Sequence, residues 1–378
     1  MVLKVGSIDE FIESVSGKTV VCYGAGYWLS ALSKEFNSNI EKTYSYIVDR
    51  NSSFWGSTKD VNGVVLKIFS PQKLYDEVDE QTIVLITIAG WEEIFELLDD
   101  LPQFKDVICY AAPLIYAGEL DRMARLVPSA PINWRMNSDP QIPKIIHYIW
   151  FGKEKIPQKY KDYIGGWKAF CPDYEFVEWN MDNYDLTIHP FLIEAKEHKQ
   201  WAAASDYARL DIVYQYGGIY FDVDVELIRN IDELLYNTAF FGFQDLRYVG
   251  TGLGFGARKN YEVVRLLRDD YDDISFLSAG GVFETIPCPD IQTKTLERLG
   301  LKRNGEFQIV CGVTIYPVEY FSPLNFRTGY IACTPNTYSI HHYEGLWEGS
   351  IAKAIWTKRR RIIGDSNGYG LNQNRVWG

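Results

Sequence analysis

The sequence predicts an α/β protein of two domains, and three features lead to this prediction. The length of 378 residues exceeds what one ordinary hydrophobic core organises. Short apolar runs rich in β-branched residues alternate with helical patterns in both halves of the chain. A polar, proline-containing segment over residues 126–143 predicts a linker between the halves. We therefore expect a small α/β domain over residues 1–125 and a larger one over residues 144–378.

The composition excludes several classes of protein. The chain is 47% hydrophobic and 23% charged, as is usual for globular domains. Its net charge of −12 argues against a nucleic-acid partner, because nucleic-acid-binding surfaces are basic. The sequence has no signal-peptide pattern and no apolar run of about 18 residues, the length that a membrane span needs. Six scattered cysteines indicate free thiols, so the expected location is cytoplasmic.

The first domain begins as a Rossmann-like α/β unit. Residues 18–50 predict a strand, a glycine turn (Gly24-Ala25-Gly26), a helix and a second strand that ends before Asp49. Such a turn brings backbone N–H groups close to an anion, and Asp49 stands where a ribose would be bound. Leu29 replaces the third glycine of the dinucleotide fingerprint, so we predict the fold without dinucleotide turnover. Residues 81–110 continue the alternation of strand, helix and strand.

An acidic segment of the second domain, Gly218–Leu227 (GIYFDVDVEL), has the period of a β-strand. That period places the apolar residues on one face and Tyr220, Asp222, Asp224 and Glu226 on the other. Like charges that recur every roughly 7 Å along a strand repel unless a cation neutralises them. A hard divalent ion, Mn²⁺ or Mg²⁺, prefers oxygen ligands and accepts a diphosphate as a further ligand. We predict a metal site on this face, and a solvated strand face is the alternative.

A helix is predicted over Trp201–Tyr216, immediately before this segment. Its apolar stripe indicates burial on a core, and Gly217-Gly218 ends it. Asp206 and Arg209 lie three residues apart, so both project from one side of the helix. A surface ion pair of little energetic value is the alternative. Because the pair precedes an acidic segment by one short turn, we favour a shared polar site.

Three segments in this order resemble the glycosyltransferases with a DXD sugar-binding region. They are residues 142–150 (IPKIIHYIW), 204–209 (ASDYAR) and 216–224 (YGGIYFDVD), and the resemblance covers most of residues 140–350. The family includes capsule-type transferases and yeast mannosyltransferases and is related to the glucosylating clostridial toxins. The resemblance implies a GT-A domain with a mixed central sheet, placed after the Rossmann-like domain. It also implies metal-dependent, retaining transfer of a hexose from a nucleotide-diphosphate sugar, UDP-linked by resemblance, to a glycan acceptor in surface or capsular polysaccharide synthesis.

The resemblance assigns roles to individual residues of the two motifs. Asp206 and Arg209 would hold the hydroxyls of the donor sugar, with Tyr220 close to the sugar or the diphosphate. Asp222 would reach the ribose and the metal. Asp224 would be the main protein ligand of Mn²⁺ or Mg²⁺.

Two further segments contribute residues by the same resemblance. Trp150 would stack on the donor base, and a core aromatic is the alternative. Residues 341–347 (HHYEGLW) are similar to the family's HHxxGSW signature, with leucine in place of serine. A histidine of this signature approaches the metal, and we favour His342 over His341. The alternative for either is a hydrogen-bonded core histidine or one that contacts a metal ligand without binding the metal itself. Trp347 would add to donor binding.

Two other functions remain open on the sequence. Residues 221–225 (FDVDV) also fit the nucleophile strand of haloacid-dehalogenase-type phosphohydrolases, with Asp222 as nucleophile. In that class the motif begins its domain, whereas here a helix with Asp206 and Arg209 precedes it. A non-enzymatic sugar-nucleotide-binding protein that works through residues 1–125 is the second alternative.

A basic cluster, Lys358–Arg361 (KRRR), lies between apolar residues near the end of the chain. Anionic lipid attracts such clusters, so we predict a peripheral contact with the inner face of the membrane, beside a lipid-linked glycan acceptor. A solvated helix face is the alternative.

Overall fold

A computed structural model describes residues 1–152, 154–275, 287–344, 357–359 and 361–364, and the backbone of residues 376–377. The chain divides into two units. The first comprises Met1–Arg122, Asn325–Tyr330 and Ser350–Asn374, and the second comprises Met123–Leu324, Ile331–Gly349 and Arg375–Gly378.

A mostly parallel sheet forms the centre of the first unit. Its elements are β1 (Val2–Lys4), α1 (Ile8–Ser14), β2 (Thr19–Tyr23), α2 (Trp28–Phe36), β3 (Tyr44–Val48), β4 (Thr58–Val61), β5 (Val64–Phe69), α3 (Pro71–Glu77), β6 (Thr82–Ile86), α4 (Trp91–Asp99), β7 (Ile108–Ala111) and α5 (Ala112–Arg125). In the described residues the strand order is β1-β7-β6-β2-β3-β5-β4, and only β4 and β5 pair in antiparallel fashion. The strands run outward from β2 in both directions, which is the doubly wound arrangement that the Rossmann-like pattern predicted.

The glycine turn after β2 is closed by residues of its own unit. Gly24 has φ of +114°, and a Cβ there would lie 2.3 Å from Ile88 Cγ2, so no other residue fits. The Asp49 carboxylate accepts the N–H groups of Ala25 and Asn51, both at 2.8 Å. The Ala25 N–H is one that such a turn would offer to a phosphate. Asp49 therefore stabilises this turn through hydrogen bonds within its own unit.

Three cations of the basic cluster form ion pairs with helix α4 of the same unit. Lys358 and Arg361 lie 2.6 and 2.7 Å from the carboxylate of Glu96, and Arg359 lies 3.2 Å from that of Glu92. The two isoleucines that follow are buried in the core of this unit. The arginine at position 360 lies outside the described residues. The cluster thus has partners within the chain, and the lipid contact stays a prediction.

A mixed sheet forms the centre of the second unit. Its elements are β8 (Ile145–Ile149), α6 (Gln158–Phe170), β9 (Glu175–Trp179), α7 (Pro190–Glu197), α8 (Trp201–Tyr216), β10 (Gly218–Tyr220), β11 (Val225–Leu227), β12 (Ala239–Phe243), β13 (Val249–Gly250), β14 (Phe255–Ala257), α9 (Glu262–Asp269), α10 (Cys288–Arg298), β15 (Gln308–Val310), β16 (Val313–Tyr316), β17 (Ala332–Cys333), β18 (Ser339–His341) and β19 (Val376–Trp377). Within the described ranges the main strand order is β15-β16-β12-β14-β10-β8-β9, with parallel and antiparallel neighbours. The predicted fold class, a mixed-sheet α/β domain after a Rossmann-like one, is confirmed.

The segment predicted as a linker, residues 126–143, is hydrogen-bonded within the second unit. The Gln141 N–H donates to Leu235 O at 2.7 Å, and the Asn137 N–H donates to Tyr236 O at 3.1 Å. These bonds satisfy backbone groups of a segment that has no helix or strand of its own.

The prediction of one continuous strand over Gly218–Leu227 is wrong. β10 ends at Tyr220, β11 begins at Val225, and a turn lies between them in which the Val225 N–H donates to Asp222 O at 3.0 Å. The physical reason is pairing: β10 lies in the main sheet, whereas β11 pairs with β18. No single ladder can therefore run through the segment, and both aspartates of the motif lie in the turn.

The two glycines before β10 allow helix α8 and the strand to meet at close range. Gly217 and Gly218 have φ of +71° and +102°. A Cβ on Gly217 would lie 2.8 Å from Lys259 N, and one on Gly218 would lie 2.8 Å from Ile145 O. The predicted end of the helix at these glycines is confirmed. Glycine is needed there because both residues have positive φ and because a side chain would collide with neighbouring backbone atoms.

A buried histidine of β8 is hydrogen-bonded to the glycine turn between α8 and β10. We expect it to make the stability of the protein sensitive to acid. His147 Nε2 donates to Gly217 O at 2.8 Å, and Nδ1 accepts from Trp179 Nε1 at 3.1 Å, so the neutral ring is fully bonded. Burial lowers the pKa of His147 to about 4, although the bond to Gly217 acts in the opposite direction. Because this value lies below the ordinary value near 6.5, the unfolded chain binds the proton first as the pH falls. The free energy of unfolding should therefore decrease between about pH 6.5 and pH 4, by about 3 kcal/mol at most.

Urea titrations of the wild type and of His147→Gln at pH 7, 5.5 and 4 test this expectation. The difference in unfolding free energy between the two proteins should shrink toward pH 4. A difference that stays constant across this range would contradict the assignment of a neutral His147.

Candidate functional site

The turn between β10 and β11 brings two carboxylates next to a histidine. Asp224 Oδ1 lies 3.2 Å from His341 Nε2, and Asp222 Oδ2 lies 3.9 Å from the same nitrogen. Strand β18 carries His341 to this point because its pairing with β11 sets Val225 opposite the histidine. One ligand atom from each of Asp222, Asp224 and His341 lies within 4.8 Å of the other two. We call these three residues the carboxylate–histidine group.

Asp224 is held in its ionised form. Its side chain is buried, its Oδ2 accepts the Glu344 N–H at 2.9 Å, and its backbone oxygen accepts the His342 N–H at 3.0 Å. Burial acts to raise the pKa of Asp224, but His341 and the N–H groups of Glu344 and of Asp224 itself outweigh it and lower the pKa to about 2. Burial likewise acts to lower the pKa of His341, and the two aspartates outweigh it and raise that pKa.

The chemistry of the carboxylate–histidine group fits a divalent cation. Carboxylate oxygens and imidazole nitrogen are ligands that Mn²⁺ accepts, and Mg²⁺ accepts the oxygens. His341 Nδ1 is buried and has no hydrogen-bond partner among the described residues. The three aspartates Asp206, Asp222 and Asp224 exceed the one guanidinium beside them, Arg209, so a cation of charge two would balance the site.

Arg209 connects helix α8 to the turn. Its side chain is only 4% exposed, and Nη2 lies 2.7 Å from Asp206 Oδ1 and 3.3 Å from Asp222 Oδ1. Its Nε donates to Ser205 O at 3.1 Å, and the guanidinium lies 5.1 Å from the centre of the Tyr220 ring. The alternative of a surface ion pair is therefore wrong, because Arg209 is buried and also faces Asp222. A buried guanidinium with two carboxylates is far more consequential than an exposed pair.

Asp206 has an environment typical of a functional carboxyl group. Burial raises its pKa to about 6; Arg209 acts to lower it, the charge of Asp222 adds to the rise, and the Cys288 thiol donates a hydrogen bond. Burial also raises the pKa of the Cys288 thiol well above its ordinary value. Strongly shifted pKa values next to specific charge partners are enriched at functional sites.

The structure places the remaining motif residues around this centre in different ways. Tyr220 is fully buried and its hydroxyl donates to Asp222 Oδ1 at 2.7 Å, so it orients this carboxylate from beneath. Trp150 is half-buried directly after β8, and its Nε1 donates to Glu154 O at 2.6 Å. Trp347 lies outside the described residues.

The two adjacent histidines point to different partners. His341 lies at the aspartates, whereas His342 Nε2 lies 3.0 Å from Glu226 Oε2 and its ring stacks on Tyr163 at 4.9 Å. Neighbouring residues at a strand end face opposite sides, which the letters HH alone cannot resolve. The geometry thus favours His341, not the His342 that we preferred from the sequence. Glu226, expected on the acidic face, is paired with His342 instead.

This separation predicts different effects of the two histidines on metal binding. His341→Ala should weaken Mn²⁺ binding by at least the roughly 10- to 100-fold that loss of an outer-sphere partner causes. His342→Ala, the matched control one residue away, should change it little, because its ring contacts Glu226 and Tyr163. Titration of Mn²⁺ followed by electron paramagnetic resonance measures both affinities. Equal losses in the two variants would speak against the carboxylate–histidine group.

Sequence reasoning missed a glycine pattern that shapes the site. Residues 249–257 (VGTGLGFGA) carry glycine at every second position. A Cβ on Gly252 would lie 2.4 Å from Asp222 Oδ2, and one on Gly254 would lie 2.4 Å from the Phe221 ring. The glycines therefore let this segment lie against the turn, and their strict alternation was the available signal.

Comparisons with known proteins agree with this geometry. Residues 157–241 match the family model described as "Glycosyltransferase sugar-binding region containing DXD motif". Over this segment the chain is similar to the glycosyltransferases that contain the DXD motif. The DXD region contains helix α8 with Asp206 and Arg209, and the turn with Asp222 and Asp224.

Individual relatives match over limited parts of their length. "Inositol phosphoceramide mannosyltransferase 3" of Schizosaccharomyces pombe is 38% identical over 110 residues, which are 27% of this chain and 30% of the relative. An uncharacterized glycosyltransferase of Acanthamoeba polyphaga mimivirus is 30% identical over 131 residues, 32% of this chain and 52% of the relative. The chain thus spans about a third to a half of the curated relatives that it matches. Among solved structures, the PaToxG glycosyltransferase is 15% identical, covers 69% of this chain and 87% of its own, and has a TM-score of 0.33.

Proposed function

We propose that this protein is a metal-dependent glycosyltransferase that moves a hexose from a nucleotide-diphosphate sugar to a glycan or lipid-linked glycan acceptor. One observation carries the proposal. In the carboxylate–histidine group one ligand atom of each residue lies within 4.8 Å of the others, and its Asp222 also faces the buried Arg209, which pairs with Asp206 inside the DXD region. The Asp222 side chain thus belongs to a proposed cation site and also contacts the Arg209–Asp206 pair, whose polar groups suit the hydroxyls of a sugar.

The residues divide the chemistry between them. Asp222, Asp224 and His341 would hold Mn²⁺ or Mg²⁺, which when bound stabilises the charge that develops on a leaving diphosphate. Asp206 would accept hydrogen bonds from the donor sugar, with Arg209 holding its carboxylate in place. Orientation of donor and acceptor then supplies much of the remaining rate.

The finer parts of the proposal rest on resemblance. They are a UDP-linked donor, base stacking by Trp150 and Trp347, retention of configuration, and an acceptor in surface or capsular polysaccharide at the cytoplasmic face of the membrane. The yeast relatives are named inositol phosphoceramide mannosyltransferases, which supports including a mannose donor among the donors and a lipid among the acceptors. In the part of the chain that the structure describes, no helix combines the length and apolar character that a bilayer span needs.

The phosphohydrolase alternative receives less support from the same geometry. It needs Asp222 as a free nucleophile, whereas Asp222 Oδ1 accepts from the Tyr220 hydroxyl at 2.7 Å and faces Arg209 at 3.3 Å. It also assigns no role to Asp206, which lies 2.7 Å from Arg209.

A donor panel tests the proposed function. The full chain is incubated with UDP-glucose, UDP-galactose, UDP-N-acetylglucosamine and GDP-mannose, and release of nucleoside diphosphate is measured with Mn²⁺ and with EDTA. We expect release from one or two donors, loss of that release with EDTA, and recovery on readdition of Mn²⁺. Release that survives chelation would contradict the metal assignment. Inhibition by beryllium fluoride of a phosphate-releasing activity would instead support the phosphohydrolase.

A further inference from the structure

A buried glutamine of helix α10 clamps one residue of the glycine-rich segment. Gln292 is 0% exposed, its Nε2 donates to Thr251 Oγ1 at 2.8 Å, and its Oε1 accepts the Thr251 N–H at 3.2 Å. Both the oxygen and the nitrogen of the amide therefore bond to Thr251, which lies 41 residues away in the sequence. A buried amide is stable only when it is hydrogen-bonded, so this clamp fixes Thr251 relative to the helix.

Thr251 in turn accepts a hydrogen bond from Arg209. The threonine is fully buried, and its Oγ1 lies 3.4 Å from Arg209 Nη1. A hydroxyl oxygen can accept two hydrogen bonds, and here they come from Gln292 and Arg209. The other guanidinium nitrogen, Nη2, is the one that faces Asp206 and Asp222. Thr251 thus limits how far Arg209 can turn away from the two aspartates.

The next residue along the chain fixes Asp222. The Asp222 N–H donates to Gly252 O at 3.3 Å, and the Gly252 Cα lies so close that a Cβ would be 2.4 Å from Asp222 Oδ2. The same short segment, Thr251-Gly252, therefore contacts the guanidinium with one residue and the carboxylate with the next.

We infer that Gln292 is a positioning residue for donor binding. Its two hydrogen bonds to Thr251 fix the position of the Arg209 guanidinium relative to the Asp222 carboxylate. The inference rests on the proposed function and deepens it, since it connects a helix outside the DXD region to the donor site. Gln292 and Thr251 lie beyond residues 157–241 that match the family model. Neither residue contacts the donor under this inference; both act through Arg209 and Asp222.

The structure offers a matched control for a purely structural role. Thr293, the next residue of helix α10, is also fully buried, and its Oγ1 accepts the Val249 N–H at 2.9 Å. It makes the same kind of bond from the same helix to the same segment, but Val249 has no contact with Arg209 or Asp222 among the described hydrogen bonds. Loss of the Thr293 hydroxyl should therefore lower stability without a specific effect on the donor.

The test compares Thr251→Val, Thr251→Ser, Gln292→Met and Thr293→Val in the full chain. The donor is the nucleotide sugar that the wild type turns over with Mn²⁺. We expect kcat/KM for this donor to fall at least about tenfold in Thr251→Val and Gln292→Met, because a displacement of about 1 Å at a site costs on the order of 100-fold. Thr251→Ser keeps the hydroxyl and should stay near the wild type, as should Thr293→Val. Melting temperatures and calorimetric binding of the matching nucleoside diphosphate with Mn²⁺ are measured on all variants, at a temperature where each is folded.

The outcomes separate this inference from the proposed function. Equal losses of donor kcat/KM in Thr293→Val and Thr251→Val, or an unchanged Thr251→Val, would overturn the positioning role while the wild type remains active. A wild type that neither turns over any donor nor binds its nucleoside diphosphate would instead overturn the proposed function itself.

Discussion

Asp224→Asn is expected to lower turnover of the nucleotide-sugar donor by about 100- to 1000-fold, the loss that follows removal of one charge-stabilising group from an active site. Asparagine keeps the volume and can still accept the Glu344 N–H, which lies at 2.9 Å in the wild type. It removes the negative charge that faces His341 Nε2 at 3.2 Å and that would ligate the metal. The substitution therefore changes charge with little change in shape. Initial rates of nucleoside-diphosphate release at saturating Mn²⁺ measure the effect.

Glu226→Gln is the matched control for this prediction. Glu226 lies two residues further along the same acidic pattern, but its carboxylate is 3.0 Å from His342 and not in the carboxylate–histidine group. We expect its turnover to stay close to that of the wild type. An Asp224→Asn enzyme that retains turnover, or a Glu226→Gln enzyme that loses as much, would refute the assignment of Asp224.

Arg209→Met should have the second largest effect, on stability and on donor turnover together. The substitution leaves Asp206 and Asp222, which lie 2.7 and 3.3 Å from the guanidinium, without their cation. Breaking a buried ion pair by removal of one partner costs about 3–5 kcal/mol of unfolding free energy. Arg209→Lys should recover little, because a single ammonium cannot reproduce a planar guanidinium that also contacts Thr251. Denaturant unfolding and donor kcat/KM measure the two effects.

Arg268→Met separates stability from function. Arg268 Nη1 lies 3.1 Å from Asp211, a buried residue of the helix α8 that also carries Arg209. Among the described residues, the other ion pair of Arg268 is with Asp269 and not with Asp222 or Asp224. Its loss should destabilise the second unit but leave donor kcat/KM largely intact in the folded protein. If both arginine variants lose donor turnover in proportion to their stability, Arg209 has no specific role in the donor site.

Local sequence patterns predicted those parts of the fold that local physics decides. Helix α8 has the predicted bounds, Trp201–Tyr216, because its apolar stripe and the glycine pair after it are both local signals. Strands β2 and β3 lie within residues 18–50 in the predicted order, and β3 ends at Val48, directly before Asp49, as predicted. The proximity of Asp206 and Arg209 followed from helical spacing alone.

The arrangement of the site depended on partners that are distant in sequence. The alternation over Gly218–Leu227 gave no sign of a break, because the break arises from pairing of β11 with β18, more than 100 residues away. That pairing also decides that His341 and not His342 meets Asp224. The alternation placed Tyr220 on the acidic face, but in the structure this residue is buried and its hydroxyl donates to Asp222.

Calorimetric binding of UDP and GDP to the full chain, with Mn²⁺, with EDTA, and in Asp224→Asn with Mn²⁺, most directly tests the central role of the carboxylate–histidine group. We expect one nucleoside diphosphate to bind the wild type in the presence of Mn²⁺. Both chelation and Asp224→Asn should weaken this binding at least about tenfold, because the bridge between protein and diphosphate is then lost. Binding of equal strength in all three conditions would contradict a divalent ion between these residues and the donor.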